Sequence, residues 1–176
     1  MSDEVRQVKV PLSEEDLRSF TAGEAVELTG TILVGRDQAH LRLCEALDRG
    51  EELPLDIRGE TIYYMGPAPT PPGKVIGSCG PTTAYRMDPF APRLLDLGLK
   101  GMIGKGPRAK EVLDGVVRNG AVYFYAYGGC GALYAQRITS SECVAYEDLG
   151  PEAIYRLRVE KFPLVVAADC RGGSVY

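Results

Sequence analysis

The chain has 176 residues, enough to bury one substantial core, and a single domain over residues 1–176 is the expected organisation. With 45% hydrophobic and 25% charged residues, its composition excludes disorder as the main state. A formal charge of -4 argues against a nucleic-acid partner, because phosphate binding needs a basic surface, and leaves open only a local basic pocket.

Residues 8–20 predict a short strand, a turn and a helix opened by Ser13, with Asp16 three positions later as an imperfect capping box. Residues 26–34 are rich in β-branched side chains and interrupted by Gly30, which predicts a strand carrying a bulge or a tight backbone approach. In residues 36–49, Ala39, Leu43, Ala46 and Leu47 recur at helical spacing, and Gly50 stands where a helix ends. Residues 61–65 predict a second strand. The following GPAPTPPG is a rigid loop, because proline offers no N–H to a ladder. A strand over 74–78, a break at Gly80-Pro81, a helix near 92–97, a strand over 101–103 and a helix over 108–117 come next. Residues 121–126 are strongly β-prone, a glycine-rich bend leads to a short helix over 132–137, and strands over 142–146, 154–159 and 164–168 finish the chain. Alternating strands and helices followed by successive strands imply a mixed sheet with helices, in a three-layer α/β arrangement.

The sequence contains no run of about 18 apolar residues, and its opening MSDEVRQVKV lacks the basic-then-apolar pattern of a secretory signal, so a cytoplasmic protein is expected. Five cysteines, Cys44, Cys79, Cys130, Cys143 and Cys170, are widely spaced without a CxxC pair, which suggests buried free thiols and neither a zinc site nor a disulfide framework. The same spacing gives no support for an iron-sulfur cluster held by this chain alone, since such clusters take several thiolates.

Three glycine-marked junctions each carry a cation: Gly35-Arg36, the stretch from Gly80 through Thr82 and Thr83 to Arg86, and Gly104-Lys105-Gly106. Glycine lets backbone approach a ligand, a following helix offers unpaired N–H groups, and arginine adds a fork matched to carboxylate, so the three together suit a small di-anion. Solvated surface charge is the alternative for each arginine taken singly. GxGxxG and GxxxxGK[ST] are both absent, which disfavours a nucleotide. The single histidine, His40, lies one helical turn beyond Arg36 and is open to acid-base or orienting work, or to a purely structural place. Thr82 and Thr83 suit either helix capping or, in the field of Arg86 and Lys105, chemistry at the hydroxyl. Gly128-Gly129-Cys130-Gly131 has no histidine nearby and reads as tight strand-to-helix packing in preference to a reactive thiol.

Taken together, TGTILVGRDQAH at 29–40, IYYMGPAP at 62–69, GPTTAYRMD at 80–88 and MIGKG at 102–106 resemble the β subunit of class I fumarases, and PLSEEDL and PEAIYRLRVEKFPLVV extend the similarity over nearly the whole chain. The resemblance implies a swivelling β/β/α domain. It further implies a hydro-lyase whose four-iron, four-sulfur cluster sits on a partner α subunit, with no metal ligand from this chain. Carried over by motif, Arg36, Arg86 and Lys105 would bind substrate carboxylates with Thr83 nearby, Thr82 would move the carbon proton, and His40 would be a second catalytic residue. The β subunits of L-tartrate dehydratases share the motif order; fumarate and malate are the favoured substrates, with tartrate the alternative. A metabolite-binding regulatory domain and a stand-alone isomerase using Thr82 and His40 are the readings from other classes.

Overall fold

The structure, a computed structural model, describes residues 4–176. Strand β1 (Arg6–Val10) leads to helix α1 (Glu14–Ser19), whose start is fixed as the sequence predicts: Ser13 Oγ accepts the backbone N–H of Asp16 at 3.0 Å. There follow β2 (Ala25–Val34), α2 (Asp37–Asp48), β3 (Thr61–Tyr63), α3 (Ala91–Asp96), β4 (Gly101–Gly104), α4 (Lys110–Asn119), β5 (Val122–Tyr125), α5 (Gly131–Gln136), β6 (Ile138–Ala145) and β7 (Ile154–Ala168), with 3-10 turns over Ala84–Met87 and Glu147–Glu152.

Strands β2, β3, β4 and β5 lie side by side in parallel, and β7 runs antiparallel between β5 and β2, closing these five into a barrel. Outside the ring, β1 pairs with the first part of β2 and β6 with the first part of β7. The mixed sheet with helices expected from the sequence is present, but the alternation of elements does not convey closure. Closure comes from the length of β2 and β7, each of which takes different neighbours along its two halves. Helices α2, α3 and α4 pack against the outer face of the barrel strands.

Period-two alternation divides the strands between two cores. Val26, Leu28, Ile32 and Val34 of β2, Tyr63 of β3, Ile103 of β4 and Val122 and Phe124 of β5 point into the barrel, joined by Leu17 of α1 and Tyr134 of α5. Leu33, Ile62, Met102 and Tyr123, on the opposite faces, pack with Ala39 and Leu43 of α2, Leu94 and Leu95 of α3 and Val112 and Val116 of α4. Full burial of one such side chain stabilises by about 1.5–3 kcal/mol, so both cores hold the strand ends firmly.

One extra residue explains why the sequence suggests two strands where the structure has one. In β7, Leu157 and Val159 face the barrel at odd positions, whereas Phe162, Leu164 and Val166 do so at even ones. The parity changes at a bulge against β2, between the pairs Gly30↔Val159 and Leu28↔Phe162, where Lys161 takes φ +48 and donates its N–H to Thr29 Oγ1 at 3.0 Å. Opposite the bulge, Gly30 meets the tight approach anticipated for it, since a Cβ there would overlap the Val10 carbonyl.

Two further expectations are corrected. Residues 74–78 form no strand: the loop beside them carries Pro69, Pro71 and Pro72, which offer no N–H to a ladder, and the two segments share an isolated bond, Ala68 N–H to Ser78 O at 2.8 Å. Strand β6 begins at Ile138, four residues earlier than the 142–146 span, because its exposed Thr139, Ser140 and Ser141 lack an apolar signal. Among the described residues no helix is long and apolar enough to cross a membrane.

Candidate functional site

In parallel α/β structures a crevice forms beyond the carboxyl ends of the strands. All three cation-bearing junctions occur there. Strand β2 runs into Gly35 and Arg36, β3 into Tyr64 through Gly66, and β4 into Lys105 and Gly106. The segment holding Thr82 and Thr83 wedges between the ends of β3 and β4. Thr82 donates its N–H to Tyr64 O at 2.7 Å, Lys105 N–H reaches Thr82 O at 3.3 Å, and Ala84 N–H reaches Lys105 O at 2.8 Å. Gly35 N–H binds Tyr63 O at 3.2 Å, which sets Arg36 beside the end of β3. Arg36, Thr82, Thr83, Arg86 and Lys105, scattered in sequence, thus share one edge of the barrel.

The cations are held differently. The Arg36 guanidinium lies over Gly66, where a Cβ would overlap its Cζ and both terminal nitrogens, and its Nε is 3.5 Å from Glu152 Oε1. Arg86 gives Nε to Asp37 Oδ1 at 3.1 Å and Nη2 to Asp37 Oδ2. Lys105 forms no ion pair among the described residues.

His40 is placed otherwise. It is 0% exposed, its ring packed 5.4 Å from that of Tyr64 and 6.1 Å from that of Phe90. Nδ1 lies 2.8 Å from the Arg36 carbonyl, which can only accept, so Nδ1 carries the proton and Nε2 is the bare, unpartnered nitrogen. Burial lowers its pKa from 6.5 to about 4, with the Arg36 carbonyl opposing the shift. His40 is therefore neutral and one residue removed from the crevice, touching it through the Arg36 backbone.

Several residues that support the site were not singled out from the sequence. Arg108 is buried between the rings of Tyr64 (5.2 Å) and Tyr123 (4.8 Å), gives Nε to Asp88 Oδ1 at 2.7 Å, and reaches Tyr64 Oη at 3.2 Å. The other Asp88 oxygen accepts the Ala109 N–H at 2.7 Å, so helix α4 begins two residues later than its apolar spacing suggests. Tyr123 Oη donates to Gly106 O at 2.7 Å and steadies the Lys105 loop. Asp37 and Asp88 lie within the GRDQAH and GPTTAYRMD motifs, and adjacency to Arg36 and Arg86 was the available signal. Behind the site, Cys79 N–H donates to Gly131 O at 3.2 Å, a packing place for the GGCG segment. Asp169 accepts the N–H groups of Ala22, Arg171 and Gly173, each at 2.9 Å. Burial alone would raise its pKa, but these donors hold it below the usual range.

The side chains of the described residues do not fit a metal cluster. Among the described residues no three of His, Cys, Asp and Glu group as metal ligands. Burial pushes the Cys79 thiol up to about 12 and raises that of Cys44, whereas cluster ligation needs thiolates. An apolar groove of about 420 Å³, lined by Val75, Ile76, Ala132 and Ala135, contains none of the candidate residues.

The family described as the fumarase C-terminus matches residues 1–176. The aerobic class I fumarate hydratase of Salmonella typhimurium is 43% identical over 170 residues, covering 94% of this chain and 29% of that protein. The anaerobic class I fumarate hydratase of Escherichia coli is 44% identical over 162 residues, 91% of this chain and 30% of that protein. A Methanocaldococcus jannaschii protein, provisionally assigned as an L(+)-tartrate dehydratase subunit beta, is 37% identical over 171 residues, 94% of this chain and 88% of that protein. The chain thus spans less than a third of the length of the two fumarate hydratases.

Proposed function

Since this chain belongs to the class I fumarase C-terminal family of hydro-lyases, we propose that it is a single-domain β subunit of a class I fumarate hydratase, interconverting fumarate and L-malate with a cluster-bearing α subunit. The observation that carries this reading is the convergence of Arg36, Thr82, Thr83, Arg86 and Lys105 on adjacent strand ends. Removing the proton from the carbon next to a carboxylate spreads negative charge into that carboxylate, and two arginines and a lysine at this edge stabilise it. Thr82 is the group for that proton, because Lys105 and Arg86 supply the field its hydroxyl needs. Thr83 completes the substrate contacts. His40, neutral and buried, serves by fixing the Arg36 carbonyl.

The second half of the site belongs on the partner. A four-iron, four-sulfur cluster would reside on the α subunit, since no ligand set among the described residues suits one. Tyr85, Tyr127 and Tyr176, which are 62%, 38% and 55% exposed, rim the crevice, and exposed aromatics of this kind favour a protein interface. Tyr176 Oη also accepts the Gly106 N–H at 3.2 Å, which brings that rim onto the Lys105 loop.

L-tartrate dehydration is the second reading, favoured by the near-complete coverage of the Methanocaldococcus jannaschii subunit. The experiment is anaerobic purification of the chain from its own cells with its copurifying partner, followed by assay of fumarate and L-tartrate turnover beside the chain alone. Turnover of fumarate ahead of tartrate, only in an iron-containing complex, is expected. The reverse preference selects the tartrate reading, and an inactive, partnerless monomer selects a metabolite-binding role.

A further inference from the structure

We infer that Asp37 is a positioning residue for Arg86, fixing which edge of its guanidinium meets the substrate; this rests on the hydro-lyase reading above. A guanidinium offers two forks, one from Nε and Nη2 and one from Nη1 and Nη2. Asp37 occupies the first, through Nε at 3.1 Å and through Nη2, and leaves the second open to another carboxylate. Asp37 is also the more anchored partner. It is the first residue of α2, where the helix N-terminus favours negative charge, and its side chain is 26% exposed against 46% for Arg86. Without it, the long Arg86 side chain on the 3-10 turn has no other hydrogen-bond partner among the described residues. Glu152 does not do the same for Arg36, because 3.5 Å from Nε is too far for a directed hydrogen bond.

The test is steady-state kinetics of Asp37→Ala and Asp37→Asn in the assembled complex, with the same substitutions repeated in an Arg86→Lys background. Positioning predicts a KM raised about tenfold with kcat within about threefold, and no further change once Arg86 is lysine, which cannot be held by a fork. A lowered KM would make Asp37 a competitor that substrate displaces and overturns the inference. Parallel losses of thermal midpoint and kcat, independent of residue 86, would make it a structural staple and overturn it equally. Unchanged KM with an active wild-type complex removes this inference alone, whereas a wild-type complex inactive on both dicarboxylates removes the hydro-lyase reading and the inference with it.

Discussion

The Arg36 carbonyl accepts two hydrogen bonds from one residue, His40: from its backbone N–H at 2.9 Å and from ring Nδ1 at 2.8 Å. The ring therefore locks the first turn of α2 at the point where the chain leaves β2, and Arg36 projects from that point.

Burial of that ring, which outweighs the opposing pull of the Arg36 carbonyl, makes stability depend on pH. The pKa of His40 is about 4 in the folded chain against 6.5 for a free histidine, so the unfolded state binds more protons between these values. The stabilisation is complete above about pH 6.5, falls as the pH drops, and is gone near pH 4, a change of roughly 3 kcal/mol. Urea denaturation of the chain and of His40→Asn from pH 7 to 4.5 should give curves that converge on acidification. Parallel curves would show that His40 does not titrate this way.

Gly66 leaves room for the Arg36 guanidinium. Gly66→Ala places a methyl where Cζ and the terminal nitrogens now lie, and the flexible end of Arg36 must yield. Stability should change by less than about 1 kcal/mol, while KM in the complex rises about tenfold if Arg36 binds a substrate carboxylate. An unaltered KM would remove Arg36 from the substrate contacts.

Thr82→Val exchanges a hydroxyl for a methyl and leaves both backbone bonds of Thr82 intact, to Tyr64 and from Lys105. If the hydroxyl moves the carbon proton, kcat falls by about a hundredfold or more with KM little changed. Retained turnover would shift the proton transfer to another group, including one on the partner.

Asp88→Ala strands a buried guanidinium, because Arg108 has a fully buried side chain and Asp88 is its charged partner. Removing one member of such a pair costs about 3–5 kcal/mol, whereas Arg108→Met, which removes the charge as well, should cost less. Chemical denaturation of the two variants checks the order. Equal losses would mean that tyrosine stacking, and not charge pairing, stabilises this corner.

The sequence conveyed the clustering of the candidate residues better than the architecture around them. Arg36, Thr82, Thr83, Arg86 and Lys105 were legible because glycine and strand-end signals are local, and strand ends converge in a parallel sheet. Barrel closure was not legible, because it depends on pairing between β2 and β7, far apart in the chain, and no local pattern encodes partner choice. The single β7 was obscured by the parity change at Lys161, which imitates a strand boundary. The burial of His40 escaped for another reason: Tyr64 and Phe90, which enclose it, come from other elements and carry no helical periodicity.

That late pairing bears on how the chain acquires its shape. Ala25 of β2 pairs with Val165, and Tyr123 of β5 with Ala168, so every closing contact of the ring waits for β7 to come into place. Until then β2 and β5 present free backbone edges that can recruit another copy, the hazard of unpaired strands. High contact order of this kind slows folding, and the ring is sealed only when its one antiparallel strand docks against both β2 and β5.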